Sequence, residues 1–397
     1  MKIVHTEFHQ GWGGQASRVL MVSEELARRG HEVTIVAPPG QLAQRTRASA
    51  RSLPGLRVED GVSFRPPSHV VSFARDAARL RTLLRDSAAD VVDVHGSQDA
   101  WVTAAVRTLT GLPRCLVLTR HNTKRVRDNA ANRWLYGRCI DHLIVVDESV
   151  LTLYEPFFRR GDLSRDAVAV IPSAYRADLF HSAVRGDRAR AEIGAGPGDA
   201  VVGVAGRLVP DKGHIHLMRA AAALKGSVPR LVLAFAGLGP GEQELREAAV
   251  SLGLQGDVRF LGFRSDIAEV EAAFDIAVLP SVGCDASSAS LKEAMALGVP
   301  VIASDIGGAR AIVQDGVTGL VVPPGDAGAL ASALRTLLVD RDAARAMADR
   351  ARADVVRRFS IARLADQTLA AYTAALDGRG ARRGAAGRTA VQAGRVA

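Results

Sequence analysis

Short apolar runs alternate with longer amphipathic stretches along almost the whole chain. In the first half the runs are KIVHT (2–6), EVTIVAP (32–38), DVVDVH (90–95), CLVLT (115–119), HLIVV (142–146) and AVAVIP (167–172). In the second half they are VVGVAG (201–206), LVLAFAG (231–237), VRFLG (258–262), IAVLP (276–280), VPVIAS (299–304) and GLVVP (319–323). Strands that are apolar throughout, rather than alternating, are buried on both faces, and strands separated by helices form parallel sheets. The pattern therefore predicts an α/β chain with two doubly wound, Rossmann-like parallel-sheet domains. Between the two sets of runs, SAVRGDRARAEIGAGPGDA (182–200) reads as a linker leading into the second domain, so the domains are expected at 1–185 and 198–358. The amphipathic stretch at 359–376 reads as a helix, expected to return to the first domain, and the Arg- and Gly-rich remainder (377–397) reads as a disordered basic tail.

Composition agrees with this picture and narrows it. A chain of 397 residues suits two domains. Apolar residues make up 48% and aromatic residues only 5%, so the core must be built from Val, Leu, Ile and Ala. No run approaches the ~18 apolar residues of a membrane span, and the N-terminal apolar stretch is too short for a signal peptide. Cys115, Cys139 and Cys284 are odd in number and form no C-x-x-C pair. That favours reduced thiols in a cytoplasm and argues against a zinc site. The net charge of +9 comes almost entirely from Arg, since there are only five lysines. Arg in place of Lys, beside abundant Ala and Gly, is the mark of a GC-rich genome, so the charge does not indicate nucleic acid as a partner.

In open parallel sheets, ligands bind beyond the carboxyl ends of the strands, and with two such domains the chemistry is expected in the cleft between them. The first strand leads into Gly11, Gly13 and Gly14 and then a helix with Val19, Val22 and Leu26 on one face. Glycines there let a backbone approach closely, and helix-start N–H groups favour an anion. The spacing is not G-x-G-x-x-G, and no acid ends the second run, so a dinucleotide site is poorly supported. Arg207 and Lys212 follow the strand at 201–206, and two cations on one strand-end loop suit a diphosphate. Gly237, Gly239 and Gly241 resemble a phosphate loop only loosely, and taken alone they fit a helix N-cap turn. His95 and His121 both end strands in the first half. Asp340 and Asp342 form the only D-x-D, but its flanks are helical and Asp342 reads as a cap, so no metal is assigned. Finally, SVGCDASSASLKEAM (281–295) sets Asp285 and Glu293 on either side of a small-residue strand-to-helix turn.

Taken together these pieces resemble the GT-B fold glycosyltransferases, in particular the large retaining family 4. The similarity spans nearly the whole chain. It is strongest over GRLVPDKG, AGLGP, FLGF, the Glu293 helix with GVPVIASDIGG, and DGVTGLVVPPGD, with WGGQ, RRGHEV, DVVDVH and TRHN in the first half. The resemblance implies that Arg207 and Lys212 bind a nucleoside diphosphate approached by Gly13 and Gly14, and that Glu293 holds ribose hydroxyls. It also implies that Asp285, Ser287 and Ser288 face the sugar and phosphates, and that His121 contacts the sugar near the reacting carbon. Gly237 and Phe263 would lie by the donor and its base. Asp285 stands where the family usually has Glu.

The resemblance further implies a UDP- or GDP-sugar as substrate, no metal or other cofactor, retention of configuration, and a glycan or lipid-linked acceptor in bacterial envelope or lipopolysaccharide synthesis. The basic stretch 120–139 carries Lys124, Arg127, Trp134 and Arg138 on one face if it is helical. Such a face suits an anionic membrane surface or a phosphorylated acceptor, with His95 as a further contact. Two rival readings are a nucleotide-sugar 2-epimerase of the same architecture and a non-catalytic sugar-nucleotide-binding protein.

Overall fold

The computed structural model describes residues 1–65, 68–228, 230–283 and 288–393, with side chains described as far as Gly378. The first sheet contains β1 (Lys2–Thr6), β2 (Glu32–Val36), β3 (Leu56–Glu59), β4 (Val91–Val94), β5 (Leu116–Arg120), β6 (His142–Val145) and β7 (Val168–Val170). All its pairs are parallel, in the order β3-β2-β1-β4-β5-β6-β7. The second contains β8 (Ala200–Ala205), β9 (Leu231–Ala236), β10 (Val258–Gly262), β11 (Ile276–Leu279), β12 (Val301–Ser304) and β13 (Leu320–Val322). It too is wholly parallel, in the order β10-β9-β8-β11-β12-β13. The central strands are buried along their length, as continuous apolar runs require. Strand order reverses at β1/β4 in one sheet and at β8/β11 in the other. These switch points are where open α/β sheets leave a crevice beyond the carboxyl ends of their strands.

The chain divides into Met1–Ser173 with Ile361–Ala397, and Ala174–Ser360. The division precedes the break expected near 185–198, and packing explains the difference. Tyr175, Phe180, Ala189 and Ile193 are buried with Val201, Val232 and Phe274 of the second unit. Gly186 lies so close to the Ala273 backbone that a Cβ there would stand 2.3 Å from the Ala273 nitrogen. Arg190 donates to Asp275 at 2.9 Å and to the Asp199 carbonyl at 2.7 Å. The expected linker is thus an anchored part of the second unit.

The helix Ile361–Ala393 belongs to the first unit. Arg29 donates to Asp366 at 2.5 Å and to the Ala362 carbonyl at 3.0 Å, and the buried Tyr372 hydroxyl donates to Asp93 Oδ2 at 2.7 Å. The helix also runs through most of the stretch expected to be a disordered tail, where Ala and Arg, both strong helix formers, outnumber the glycines. A second local difference concerns the D-x-D. Asp340, not Asp342, caps the helix Arg341–Arg358, accepting from the Ala343 amide at 2.9 Å.

Candidate active site

At the β1/β4 switch point, strand geometry gathers polar residues from three neighbouring strands. His5 pairs in register with Asp93, and Asp93 with Val117. Side chains alternate along a strand, so His5, Asp93, His95, Thr119 and His121 all project from one face of the sheet. There His5 Nδ1 lies 2.9 Å from His95 Nε2, and His95 Nδ1 lies 2.9 Å from His121 Nε2. Asp93 sits beneath the row and accepts from the Thr119 hydroxyl at 2.8 Å and the Tyr372 hydroxyl at 2.7 Å. Arg18, on the helix Gly14–Arg28, is buried nearby and donates to the Ile171 carbonyl at 2.8 Å and to Ser173 at 3.2 Å. Burial, with His95 as neighbour, drops His5 to a pKa of about 3, and burial drops His95 to about 3. Burial, His95 and Arg18 push His121 well below the ordinary histidine value. All three rings are therefore neutral at pH 7. His5, Asp93 and His95 could in principle hold a cation. Here the two nitrogens instead point at each other, and the carboxylate is taken up by two hydroxyls.

Above the same strands lies the glycine turn. Gly13 is the N-cap of the helix Gly14–Arg28, and a Cβ on Gly13 or Gly14 would meet nothing within 4 Å. The preceding loop is held by Arg45 stacked 4.1 Å from the Trp12 ring centroid. Glu7 accepts from the His9 ring at 2.8 Å and from Gln15 at 2.6 Å, and Gln15 also donates to the His95 carbonyl at 2.9 Å. Burial opposes the Glu7 charge, but the hydrogen bonds from His9 and Gln15 hold its carboxyl below the usual range. Asp99 accepts from the Thr6 hydroxyl at 2.6 Å and the His95 amide at 2.9 Å, while burial and the Glu7 charge lift its pKa to about 7. Gln15, Arg18, Asp93, Asp99 and Tyr372 escape sequence reasoning because each acts through a partner remote along the chain, and Glu7 because its local partners His9 and Gln15 form no recognisable motif. The strand-end signals D-x-H at 93–95 and T-x-H at 119–121 were the available clue.

In the second unit the Arg207 and Lys212 loop is fastened on both sides. On one side Leu208 donates to the Leu238 carbonyl at 3.1 Å and Gly241 donates to the Leu208 carbonyl at 2.9 Å. Gly237 and Gly239 permit this approach, since a Cβ on either would stand 1.9 Å from Gly206 O or 2.1 Å from Leu208 O. On the other side Val282 and Gly283 donate to the Asp211 carbonyl at 2.9 and 3.1 Å. Gly213, in the left-handed region at φ +67°, lies where a Cβ would stand 2.0 Å from Pro280 O. The loop after β8 is thereby locked between the loops after β9 and β11, and its two cations stand at the β8/β11 switch point. The helix His214–Leu224 begins directly after Lys212 and presents its positive end to the same region.

Glu293 lies on the helix Ala289–Leu297 that follows β11. Burial raises its carboxyl to about 7, against the opposing pull of Lys292. Glu271 is fully buried, and burial together with the Glu293 charge pushes it well above the carboxylate range.

The other expected residues fall in different places. Phe263 follows β10 and is exposed, and Gly237 belongs to the locked loop just described. Ser288 is buried and precedes the Glu293 helix, whereas Asp285 and Ser287 lie outside the described residues. The expected basic helix is not one element. Residues 121–128 are irregular, Ala130–Trp134 is a short α-helix, and Leu135–Cys139 is a π-turn. Asn129 caps the short helix from within the stretch, starting it only there. Lys124 and Arg127 therefore do not share a helical face with Trp134 and Arg138. Trp134 stacks on Trp101 at 6.1 Å and 12°. His95 is interior rather than a surface contact, because both its ring nitrogens are engaged.

Two parallel Rossmann-like sheets, each with a polar constellation at its switch point, are the components of the GT-B architecture. Family models describe residues 12–178 as "Glycosyltransferase Family 4" and residues 187–354 as "Glycosyl transferases group 1". The chain is similar to D-inositol 3-phosphate glycosyltransferase of Nocardia farcinica, at 32% identity over 94% of this chain and 87% of that one. It is also similar to phosphatidyl-myo-inositol mannosyltransferase of Mycobacterium leprae, at 29% identity over 91% and 92%. Among solved structures, the Anabaena HepE protein in complex with UDP superposes with a TM-score of 0.79 at 23% identity, covering 94% of this chain and all of that one. Its UDP-glucose complex gives 0.77, covering 92% and 98%. The chain belongs to the group 1 glycosyltransferases and is a glycosyltransferase enzyme. No helix among the described residues is long and apolar enough to cross a membrane.

Proposed function

We propose that this enzyme moves a sugar from a nucleoside-diphosphate donor, UDP- or GDP-linked, to a hydroxyl of a glycan or glycolipid, with retention of anomeric configuration. The observation that carries this reading is the locked Arg207–Lys212 loop at the β8/β11 switch point. As the glycosidic bond breaks, negative charge builds on the departing diphosphate. A guanidinium fork, an ammonium and a helix N-terminus, all carried on a locked backbone, would stabilise that charge with little reorganisation of the chain. No metal is required by this arrangement. Glu293, on the helix after β11 of the same unit, would accept from the ribose hydroxyls. The acceptor hydroxyl attacks from the face the diphosphate leaves, and its proton passes to a departing phosphate oxygen.

The relative named for phosphatidyl-inositol supports a lipid-linked acceptor of the cell envelope, and the one named for inositol 3-phosphate supports a soluble inositol phosphate. In this reading Trp101, Trp134 and Arg138 belong to the acceptor-side or membrane-side surface, and an enzyme acting on glycolipids would work in the cytoplasm at the inner membrane face. The test is nucleoside diphosphate release from a panel of UDP- and GDP-sugars, with and without inositol phosphates and glycolipids. Acceptor-dependent release supports the transferase reading. An isomerised nucleotide sugar formed without an acceptor would point to the epimerase.

A further inference from the structure

The row His5–His95–His121 carries more information than the family role of its last member. Each contact between rings is a single N···N hydrogen bond, at 2.9 Å in both cases. A neutral imidazole has one donor and one acceptor nitrogen, so fixing the proton on one ring fixes all three. Only two arrangements exist. In one, protons point from His121 toward His5, which leaves His5 with an Nε2–H. In the other, they point from His5 toward His121, which leaves His5 Nε2 as a bare lone pair. His5 is fully buried, and its Nε2 has no partner among the described residues. A buried N–H without an acceptor is rarer and costlier than an under-used acceptor. The second arrangement is therefore favoured. His5 Nδ1–H donates to His95 Nε2, His95 Nδ1–H donates to His121 Nε2, and His121 keeps its proton on Nδ1.

We propose that His5 and His95 are positioning residues that lock His121 as its Nδ1–H tautomer, so that this ring offers a hydrogen-bond donor, not a base, to a substrate oxygen at the carboxyl end of β5. The lock extends into the sheet. Asp93 Oδ2 lies 3.9 Å from His5 Nδ1 and 3.7 Å from His95 Nε2, and Thr119 and Tyr372 hold that carboxylate in place. A locked donor suits a sugar hydroxyl or a departing oxygen that gains charge, and cannot take up the acceptor proton. The proposal rests on the proposed function only for the identity of what His121 touches; the tautomer itself does not depend on it.

The test is long-range ¹H–¹⁵N correlation on ¹⁵N-histidine-labelled full-length protein at pH 7.5, with His121 assigned by the signals lost in His121→Asn. The expected result is a protonated Nδ1 and an unprotonated Nε2 on His121, with a shift toward the Nε2–H form in His5→Phe. An Nε2–H signature on His121 in the unsubstituted protein overturns the proposal, and this holds whether or not the His5→Phe variant folds. Turnover separates this outcome from the functional reading. An Asn amide N–H replaces Nδ1–H, while a Gln amide stands at the Nε2 position, so His121→Asn is expected to retain at least about tenfold more activity than His121→Gln. If the tautomer is as expected but both variants turn over like the unsubstituted enzyme, the sugar contact falls and the lock stands.

Discussion

Tyr372 and Asp93 are 279 residues apart in sequence and 2.7 Å apart in space. The hydroxyl from the C-terminal helix closes over a buried carboxylate that already accepts from Thr119, at the base of the histidine row. Burial raises the Asp93 carboxyl above its usual range, and the two hydroxyls and His5 oppose that rise. The helix after the last strand is thereby a structural part of the first unit's polar interior.

Removing that hydroxyl leaves one oxygen of a buried carboxylate short of a partner. Tyr372→Phe is expected to destabilise the protein by about 1–3 kcal/mol. Urea unfolding monitored by circular dichroism measures it, with Thr373→Ala on the exposed side of the same helix as a control that should change little.

Gly213 tests the locked loop. Alanine there meets both a left-handed backbone at φ +67° and the Pro280 carbonyl oxygen 2.0 Å away. Gly213→Ala is expected to shift the Lys212 loop and lower kcat/KM by about tenfold or more. Gly256→Ala, where a Cβ meets nothing within 4 Å, should leave kcat/KM unchanged.

In the proposed function Lys212 faces the leaving diphosphate, and Lys212→Ala removes that charge. The expected loss is on the order of 10²-fold in kcat. Steady-state rates with saturating donor decide it, and near-normal turnover would contradict the role.

Glu293 gives a pH signature. Burial holds its carboxyl at about 7, and in the proposed role the ionised form accepts from both ribose hydroxyls, whereas the protonated form loses one acceptor oxygen. Donor affinity is therefore expected to weaken as pH falls from 8 to 6, and Glu293→Gln should flatten that dependence. Stability runs the other way. A carboxyl raised above its unfolded value of about 4.3 binds a proton in the folded state that the unfolded chain has released. Its contribution is present below the unfolded value and is lost as pH rises toward about 7. Isothermal titration with UDP and with GDP at three pH values, beside thermal unfolding at the same values, checks both signs.

Much of this was legible along the chain, because buried parallel strands are apolar throughout and twelve such runs each became a strand. β3 was not legible. It is short and lies at the sheet edge, and its LRVE alternates apolar and polar residues without a continuous run. The division at Ser173 was hidden because Tyr175, Phe180, Ala189 and Ile193 are scattered anchors in an otherwise polar stretch. Arg207 and Lys212 stood out as two cations on one strand-end loop, whereas Glu293 took its role from the family resemblance. The histidine row was half visible: His95 and His121 stood out as strand ends, but their link to His5 and Tyr372 exists only once β1, β4 and β5 lie side by side. The basic stretch misled, because helical spacing was read through residues that precede the Asn129 cap.

The central claim is that the second unit holds a nucleoside diphosphate through Arg207, Lys212 and Glu293. Its most direct test is calorimetric titration of UDP and GDP, without metal, into the unsubstituted protein and into Arg207→Ala, Lys212→Ala and Glu293→Ala. Saturable binding of at least one diphosphate, weakened about tenfold or more in each variant, is the predicted result. Undiminished binding in all three variants, or no binding of either nucleotide to the unsubstituted protein, would contradict it.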